Sequence, residues 1–175
     1  MNIRQLQVSY VAEHDRILTR INSTEGAEVR MWLTRRLVRR LWPGLVKASE
    51  TAALERTSSG AVPGEARGMM AEMAREAALS QADFATPFDG SATDLPLGEE
   101  PLLITRIDVS PQKGGHVAFS FRQNEQRGLQ MSMGPDLLHA FCSLIQSEAA
   151  KAEWDFTLGW SPAQAGALPA STAIN

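Results

Sequence analysis

One pattern of apolar residues occurs twice in this chain, at a constant separation of 100 residues. When residues 16–47 are laid over residues 116–147 without a gap, each stretch has 14 apolar residues among 32 positions, and 11 of these coincide. Independent placement would make about six coincide. The identical pairs are Glu25 and Glu125, Met31 and Met131, and Leu37 and Leu137. The pattern therefore predicts two similar structural units, although any two units of strands and a helix would share part of it.

Each copy begins with the two-residue period of a β-strand and ends with the longer period of a helix. Polar and glycine-containing stretches separate the alternating segments, as expected for turns. A helical stripe follows each set of strands, from Arg35 in the first copy and from Pro135 in the second. The predicted strands are residues 6–11, 16–22 and 28–33 in the first copy, and 102–109, 116–123 and 128–133 in the second.

These patterns predict an α+β protein, a tandem βββα repeat in which antiparallel sheets pack on helices. Between the copies lie an acidic, helix-forming stretch and a segment rich in Pro, Gly and Asp. The C-terminal residues are mostly small or Pro, which favours disorder. The predicted organisation is a first unit at 1–50, a helical insertion and linker at 51–101, a second unit at 102–154 and a flexible tail at 155–175.

Pro43 falls inside the first helical stripe. Proline lacks the backbone N–H that a helix needs, and its ring collides with the preceding turn. We therefore expect the helix to break or kink near Trp42.

Alternation along the strands assigns side chains to the two faces of each sheet. The core face carries apolar residues in both copies, and the first helix should pack there through Leu37, Val38, Leu41 and Leu45. The opposite face of the first copy presents Arg20, Arg30 and Trp32, whereas the second copy has Ser120, Gln130 and Ser132 at those positions. An aromatic ring beside guanidinium groups suits single-stranded nucleic acid, but it suits a protein interface equally well. A plain solvated face is the third interpretation.

Three further arginines, Arg36, Arg39 and Arg40, lie away from the apolar stripe of the first helix and form a cationic ridge. Residues 1–50 hold nine Lys or Arg against five Asp or Glu, whereas residues 51–100 hold three against nine. The ridge could bind a polyanion, or it could pair with the acidic insertion. The acidic side chains available for that pairing are Glu65, Glu72 and Glu76.

The sequence contains no glycine-rich phosphate loop, nucleophile elbow or zinc-protease motif, so we predict no enzymatic activity and no cofactor. The three histidines, His14, His116 and His139, are far apart, and we predict no metal site. Cys142 is the only cysteine and lies on an apolar helix stripe, as expected for a buried thiol in a reducing compartment. No signal peptide or membrane span is evident, which favours the cytoplasm and no membrane partner.

The run at residues 10–43, YVAEHDRILTRINSTEGAEVRMWLTRRLVRRLWP, resembles the opening of a group of uncharacterised bacterial proteins. This resemblance covers about the first quarter of the chain and implies no activity. Tandem βββα units also resemble, in outline, the Whirly and PUR-type folds, which bind single-stranded nucleic acid on their sheets. Those families have four strands in each unit, whereas the pattern here shows three, and no family motif matches residue for residue.

We therefore predict a non-enzymatic binding or adaptor module that acts through protein–protein contacts and forms a homo-oligomer. The alternative is a protein that binds single-stranded DNA or RNA. Either function would use the same basic and aromatic residues, which are Arg20, Arg30, Trp32, Arg36, Arg39 and Arg40.

Overall fold

A computed structural model of the chain describes residues 1–56, 64–156, 158–160 and 173–174. It contains two units of three strands followed by a helix, with one further helix between them. The α+β class and the two βββα units are therefore confirmed. The elements of the first half are β1 (Ile3–Val11), β2 (Arg16–Ser23), β3 (Glu28–Thr34), α1 (Arg35–Arg56) and α2 (Gly64–Gln81). The second half contains β4 (Leu102–Leu103), β5 (Arg106–Pro111), β6 (Val117–Arg122), β7 (Gly128–Met133), α3 (Pro135–Lys151) and β8 (Ala173–Ile174).

The strands form two separate four-stranded sheets, in the orders β1-β2-β3-β4 and β7-β6-β5-β8. The three strands of each unit form an antiparallel meander. The fourth strand of each sheet comes from outside the meander, and it lies beside the third strand in the first sheet but beside the first strand in the second. The sequence pattern of three strands for each unit therefore missed one strand of each sheet.

The stretch 102–109, predicted as one strand, is two strands in different sheets. Leu102–Leu103 pairs in parallel with Met31 and Trp32 of β3, and the N–H of Ile104 donates to the carbonyl of Trp32 at 3.1 Å. The chain leaves that sheet at Thr105, whose N–H donates to the carbonyl of Arg122, and then forms β5. The continuous apolar alternation conceals this change because both halves of the stretch are buried.

The turns of the two units support their structural equivalence. A short 3₁₀ helix joins the first strand to the second in each unit, at Ala12–His14 and at Lys113–Gly115. Each turn ends with a residue of positive φ, which is 48° at Asp15 and 74° at Gly115. These two residues are related by the same shift of 100 that relates the apolar patterns.

Both units contribute to one hydrophobic core. The core-facing strand residues of the first unit, including Ile17 and Met31, are fully buried, as are their counterparts around Phe121 in the second. Phe119 stacks on Phe121 with a centroid distance of 5.6 Å and contacts Phe141 of α3 edge-on at 6.5 Å. Burying each such ring contributes roughly 1.5–3 kcal/mol to folding. The buried residues of the two units form one continuous cluster, so each unit completes its core against the other.

Each helix lies beside the first strand of the other unit. The helix α1 runs against β5 and the turn that follows it, where the N–H of Gly115 donates to Glu55 Oε2 at 2.8 Å. The helix α3 runs against β1, and its Glu148 Oε2 accepts the N–H of Tyr10 at 2.8 Å. Beyond α3, Trp154 Nε1 donates to Asp15 Oδ1 at 2.8 Å. The two units are thus interlocked.

Of the predicted break or kink at Pro43, the break is wrong, because α1 is one helix from Arg35 to Arg56. Proline removes one backbone hydrogen bond and costs about 3 kcal/mol in a helix interior. The side chains on both sides of it, including Leu41, Trp42 and Leu45, are buried in the shared core. Their packing outweighs the local preference.

The chain after α3 packs on the helices as far as it is described. Leu158 is buried, and the carbonyl of Gly159 accepts a hydrogen bond from Trp42 Nε1 at 2.8 Å. Trp160 meets Trp42 edge-on at a centroid distance of 5.4 Å. The flexible tail predicted at 155–175 otherwise lies mostly outside the described residues, apart from β8.

Candidate functional site

The outer face of the first sheet contains a buried carboxylate between two of the predicted site residues. Arg20 and Arg30 lie directly opposite each other on β2 and β3. The side chain of Glu28 has no exposed surface, and it accepts hydrogen bonds from Arg20 Nε at 2.8 Å and from Arg30 Nε at 2.6 Å. Burial alone would raise the pKa of Glu28, but the hydrogen bonds and charges of the two arginines lower it overall. Glu28 thereby compensates for two like charges that face each other across the strands.

Residues 86–100, here called the crossing segment, lie over this face. Asn22 Nδ2 donates to the carbonyl of Asp89 at 2.7 Å, and the N–H of Glu28 donates to the carbonyl of Asp94 at 2.9 Å. The guanidinium of Arg20 lies 4.5 Å from the ring centroid of Phe88, within the range of a cation–π contact. Arg30 Nη1 donates to the carbonyl of Glu99 at 3.3 Å. Arg20 and Arg30 therefore hold the chain's own crossing segment in place.

Trp32 is half-buried on the same outer face, two residues along β3 from Arg30. Its backbone pairs with Leu103 of β4, and its ring meets the ring of His14 edge-on at 5.1 Å. The crossing segment occupies the region of Arg20 and Arg30 beside it. The structure therefore does not present Arg20, Arg30 and Trp32 together as one open platform.

The cationic ridge of α1 lies on a different surface. Arg36, Arg39 and Arg40 are exposed, as is Lys47 two turns further along. Within the described part of the chain, Arg36 and Arg39 have no ion pair, whereas the neighbouring Arg35 pairs with Asp155. Of the acidic residues predicted to pair with the ridge, Glu72 pairs with Arg75 of its own helix, and the Glu65 side chain lies outside the described residues. The six predicted site residues are thus divided between two surfaces.

A groove of about 770 Å³, which sequence reasoning missed, lies along β1. Leu6 and Val8 line one side of it, and α3 forms a wall on the other. The end of α2 and residues 82–88 close it from a third side. Its lining is largely apolar or small, and the apolar side chains from the helices are Ala78, Leu137, Ala140 and Leu144.

The backbone of β1 offers hydrogen-bonding groups to this groove. β1 is an edge strand, and the N–H of Tyr10 points away from β2 because it donates to Glu148. In an antiparallel pair, alternate residues point their N–H and C=O groups away from the partner strand. Val8 and Leu6, at two and four residues before Tyr10, therefore direct theirs into the groove, and no described residue pairs with them.

Devices that usually protect a sheet edge are sparse along this part of β1. Natural edge strands carry charges, prolines or bulges that prevent another strand from pairing. An irregularity between Ile3 and Gln5 disrupts the start of β1, and Glu148 caps its end at Tyr10. Residues 5–9 between them contain no charge and no proline. This stretch is therefore open to an added strand.

Side chains with reactive potential elsewhere are accounted for by packing. Cys142 is fully buried, and burial raises the pKa of its thiol to about 12, so it is not a thiolate nucleophile at neutral pH. Among the described residues, no cluster of three or more His, Cys, Asp or Glu could hold a metal ion. In the same part of the chain, no helix is long and apolar enough to cross a membrane.

Comparison of the chain with protein-family models, with curated proteins and with solved structures found no match.

Proposed function

We propose that this protein is a non-enzymatic binding module that acts through protein–protein contacts, in the cytoplasm. The observation that carries this proposal is the open edge of β1 at the side of an apolar groove. An extended peptide that enters the groove can form main-chain hydrogen bonds with Leu6 and Val8, while its side chains contact the walls. Backbone pairing supplies affinity in this mode of recognition, and the groove walls supply specificity.

The size and chemistry of the groove agree with this role. A volume of about 770 Å³ lies in the usual range of ligand clefts, roughly 300–1,000 Å³. The groove offers unpaired backbone groups beside apolar side chains, which suits a polypeptide strand. Arg4, Asp83 and Asp136 also line it, so charged side chains of both signs accompany the apolar ones.

A library of ten-residue peptides displayed on phage and selected on the full chain would test this proposal. We expect selected peptides to alternate apolar residues and to lack internal proline, with amide chemical shifts changing at Leu6 and Val8. Leu6→Pro removes an N–H that β2 does not use, so it should abolish binding while the fold persists; Leu6→Val keeps that N–H and serves as the control. Peptides that bind Leu6→Pro as well as the native chain would overturn the proposal.

A second function, binding of single-stranded nucleic acid, is favoured at the ridge by the exposure of Arg36 and Arg39. Phosphate contacts of this type release counterions, so the affinity must fall steeply as salt rises. The outer face of the first sheet, with Arg20, Arg30 and Trp32, is a less suitable location because the crossing segment lies on it.

Titration with a fluorescently labelled 20-nucleotide single strand at two salt concentrations would test this second function. We expect the double change Arg36→Ala and Arg39→Ala to weaken binding. The slope of the logarithm of affinity against the logarithm of salt concentration should fall by about two, one for each lost phosphate contact. Trp32→Ala should leave binding unchanged. The absence of binding at ~50 mM salt would exclude a phosphate-dominated complex.

A further inference from the structure

The groove along β1 has an occupied counterpart in the second unit. There, β5 is the first strand and α1 is the helix beside it, just as β1 and α3 lie beside each other in the first unit. Ala173–Ile174 pairs antiparallel with Ile107 and Asp108 of β5, and it also contacts α1. The C-terminal strand therefore lies at the position in the second unit that corresponds to the groove in the first unit.

The edge of β1 resembles the edge of β5, with which the C-terminal strand pairs. The β1 residues that line the groove, Leu6 and Val8, match Ile107 and Val109 of β5 in the repeat. Both edges therefore present an apolar alternation and an antiparallel neighbour on their other side. A segment that pairs with β5 can form the same main-chain hydrogen bonds with β1.

The composition of the C-terminal segment suits the groove. Residues 161–175 contain no charged side chain and five alanines. Small side chains fit a groove whose walls include Ala78 and Ala140. Pro169 has no N–H to donate, which places the pairing part of the segment after it.

Each chain has two equivalent edges but only one C-terminal strand. While Ala173–Ile174 pairs with β5, the outward backbone groups of Leu6 and Val8 on β1 have no described partner. We propose that the β1 groove binds the C-terminal segment of a second copy of this chain, which adds to the first sheet as a fifth strand. This inference rests on the proposed protein-binding function and names the partner for it.

The inference predicts weak self-association that depends on concentration. The segment's own β5 edge competes for it at the high effective concentration of an intramolecular contact, of the order of millimolar. A free peptide in excess does not need to leave β5, so it should fill the β1 groove of the intact chain directly.

The test is a titration of the full chain with a labelled peptide of residues 166–175, GALPASTAIN, followed by fluorescence anisotropy. We expect one peptide for each chain, at least tenfold weaker binding to Leu6→Pro, and native binding to Leu6→Val. Ala140→Phe, which fills the groove from α3 without altering the strand, should also weaken binding. A peptide carrying Ala173→Pro is the matched control and should not bind.

Sedimentation of the chain with and without excess peptide completes the test. We expect self-association that the native peptide suppresses and the proline peptide does not. If the native peptide fails to bind while library-selected peptides bind in a manner sensitive to Leu6→Pro, the partner is another protein and the self-association proposal is wrong. If neither kind of peptide binds, the proposed function fails as well.

Discussion

The outer faces of the two sheets, built on the same apolar pattern, differ in what lies on them. The first carries Arg20, Glu28 and Arg30 beneath the crossing segment. Both arginines donate hydrogen bonds to the Glu28 carboxylate, and Arg30 also donates to the carbonyl of Glu99. The second has the exposed Gln130 and Ser132 at the corresponding region. The core faces of both sheets are alike, so the difference lies in the outer-face side chains of the first copy and in the segment between the repeats that they bind.

The comparison changes how the extra arginines of the first copy are interpreted. A charge that is absent from one copy of a repeat is not needed by the shared fold, which favours a role in binding. In the first sheet, however, Arg20 and Arg30 bind a segment of the same chain. Arg20 and Arg30 belong to the attachment of residues 86–100, whereas the ridge arginines face solvent.

The largest expected effect tests whether the two units fold as one. Phe121 is fully buried in the core of the second unit, so Phe121→Ala should reduce the free energy of unfolding by about 3–5 kcal/mol. Because the core is shared, amide hydrogen exchange should accelerate in β2 as well as in β6. Urea should unfold both units in a single transition. Faster exchange confined to β6 would show instead that the units unfold separately.

The next largest expected effect on stability distinguishes the outer face of the first sheet from that of the second. Glu28→Gln keeps the size of the side chain but leaves Arg20 and Arg30 opposite each other without a carboxylate. Removing one partner of a buried ion pair costs 3–5 kcal/mol, and partial exposure of the two arginines reduces this to roughly 2 kcal/mol. Urea unfolding would measure it, and proteolysis should become faster within residues 86–100. Gln130→Ala on the second sheet is the control, with a change below about 0.5 kcal/mol.

The same carboxylate gives the first face a dependence on pH. The folded pKa of Glu28 lies below its ordinary value of 4.5, so the ionised form stabilises the folded state. Its contribution is complete above pH ~5 and is lost as the pH falls through the lower, folded pKa. The stability difference between the native chain and Glu28→Gln should therefore shrink between pH 7 and pH 3. A difference that stays constant over this range would contradict the ion-pair assignment.

The smallest effect concerns the ridge. Arg36 and Arg39 are exposed and unpaired within the described residues, so replacing each by alanine should change the free energy of unfolding by less than about 0.5 kcal/mol. Thermal and urea unfolding would measure this change. A larger loss would show that the ridge, like Arg20, has a structural role.

The sequence predicts the parts of this fold that depend on local periodicity. The six meander strands and the buried faces around Met31 and Phe121 follow from alternation. The partners of short segments do not, because pairing of Leu102–Leu103 and of Ala173–Ile174 depends on distant strands. Pro43 misleads for a related reason, since α1 is held by packing against segments distant in the chain, among them α2 and β5.

The candidate sites show the same division. The exposed positions of Arg36, Arg39 and Arg40 could be predicted from helical spacing. The engagement of Arg20 and Arg30 could not, because it depends on where residues 86–100 cross the sheet. The groove depends on which strand is at the edge and on which helix lies beside it, and the apolar pattern of Leu6 and Val8 carries no sign of either.

The interlocking of the helices has a consequence for synthesis on the ribosome. The strand β1 needs α3, more than 120 residues later, and α1 needs β5, so the N-terminal unit emerges with an incomplete core. At a translation rate of roughly 5–20 residues per second, this unit waits several seconds for its partner. During that interval its apolar strands are exposed, and nascent chains on neighbouring ribosomes could pair through them.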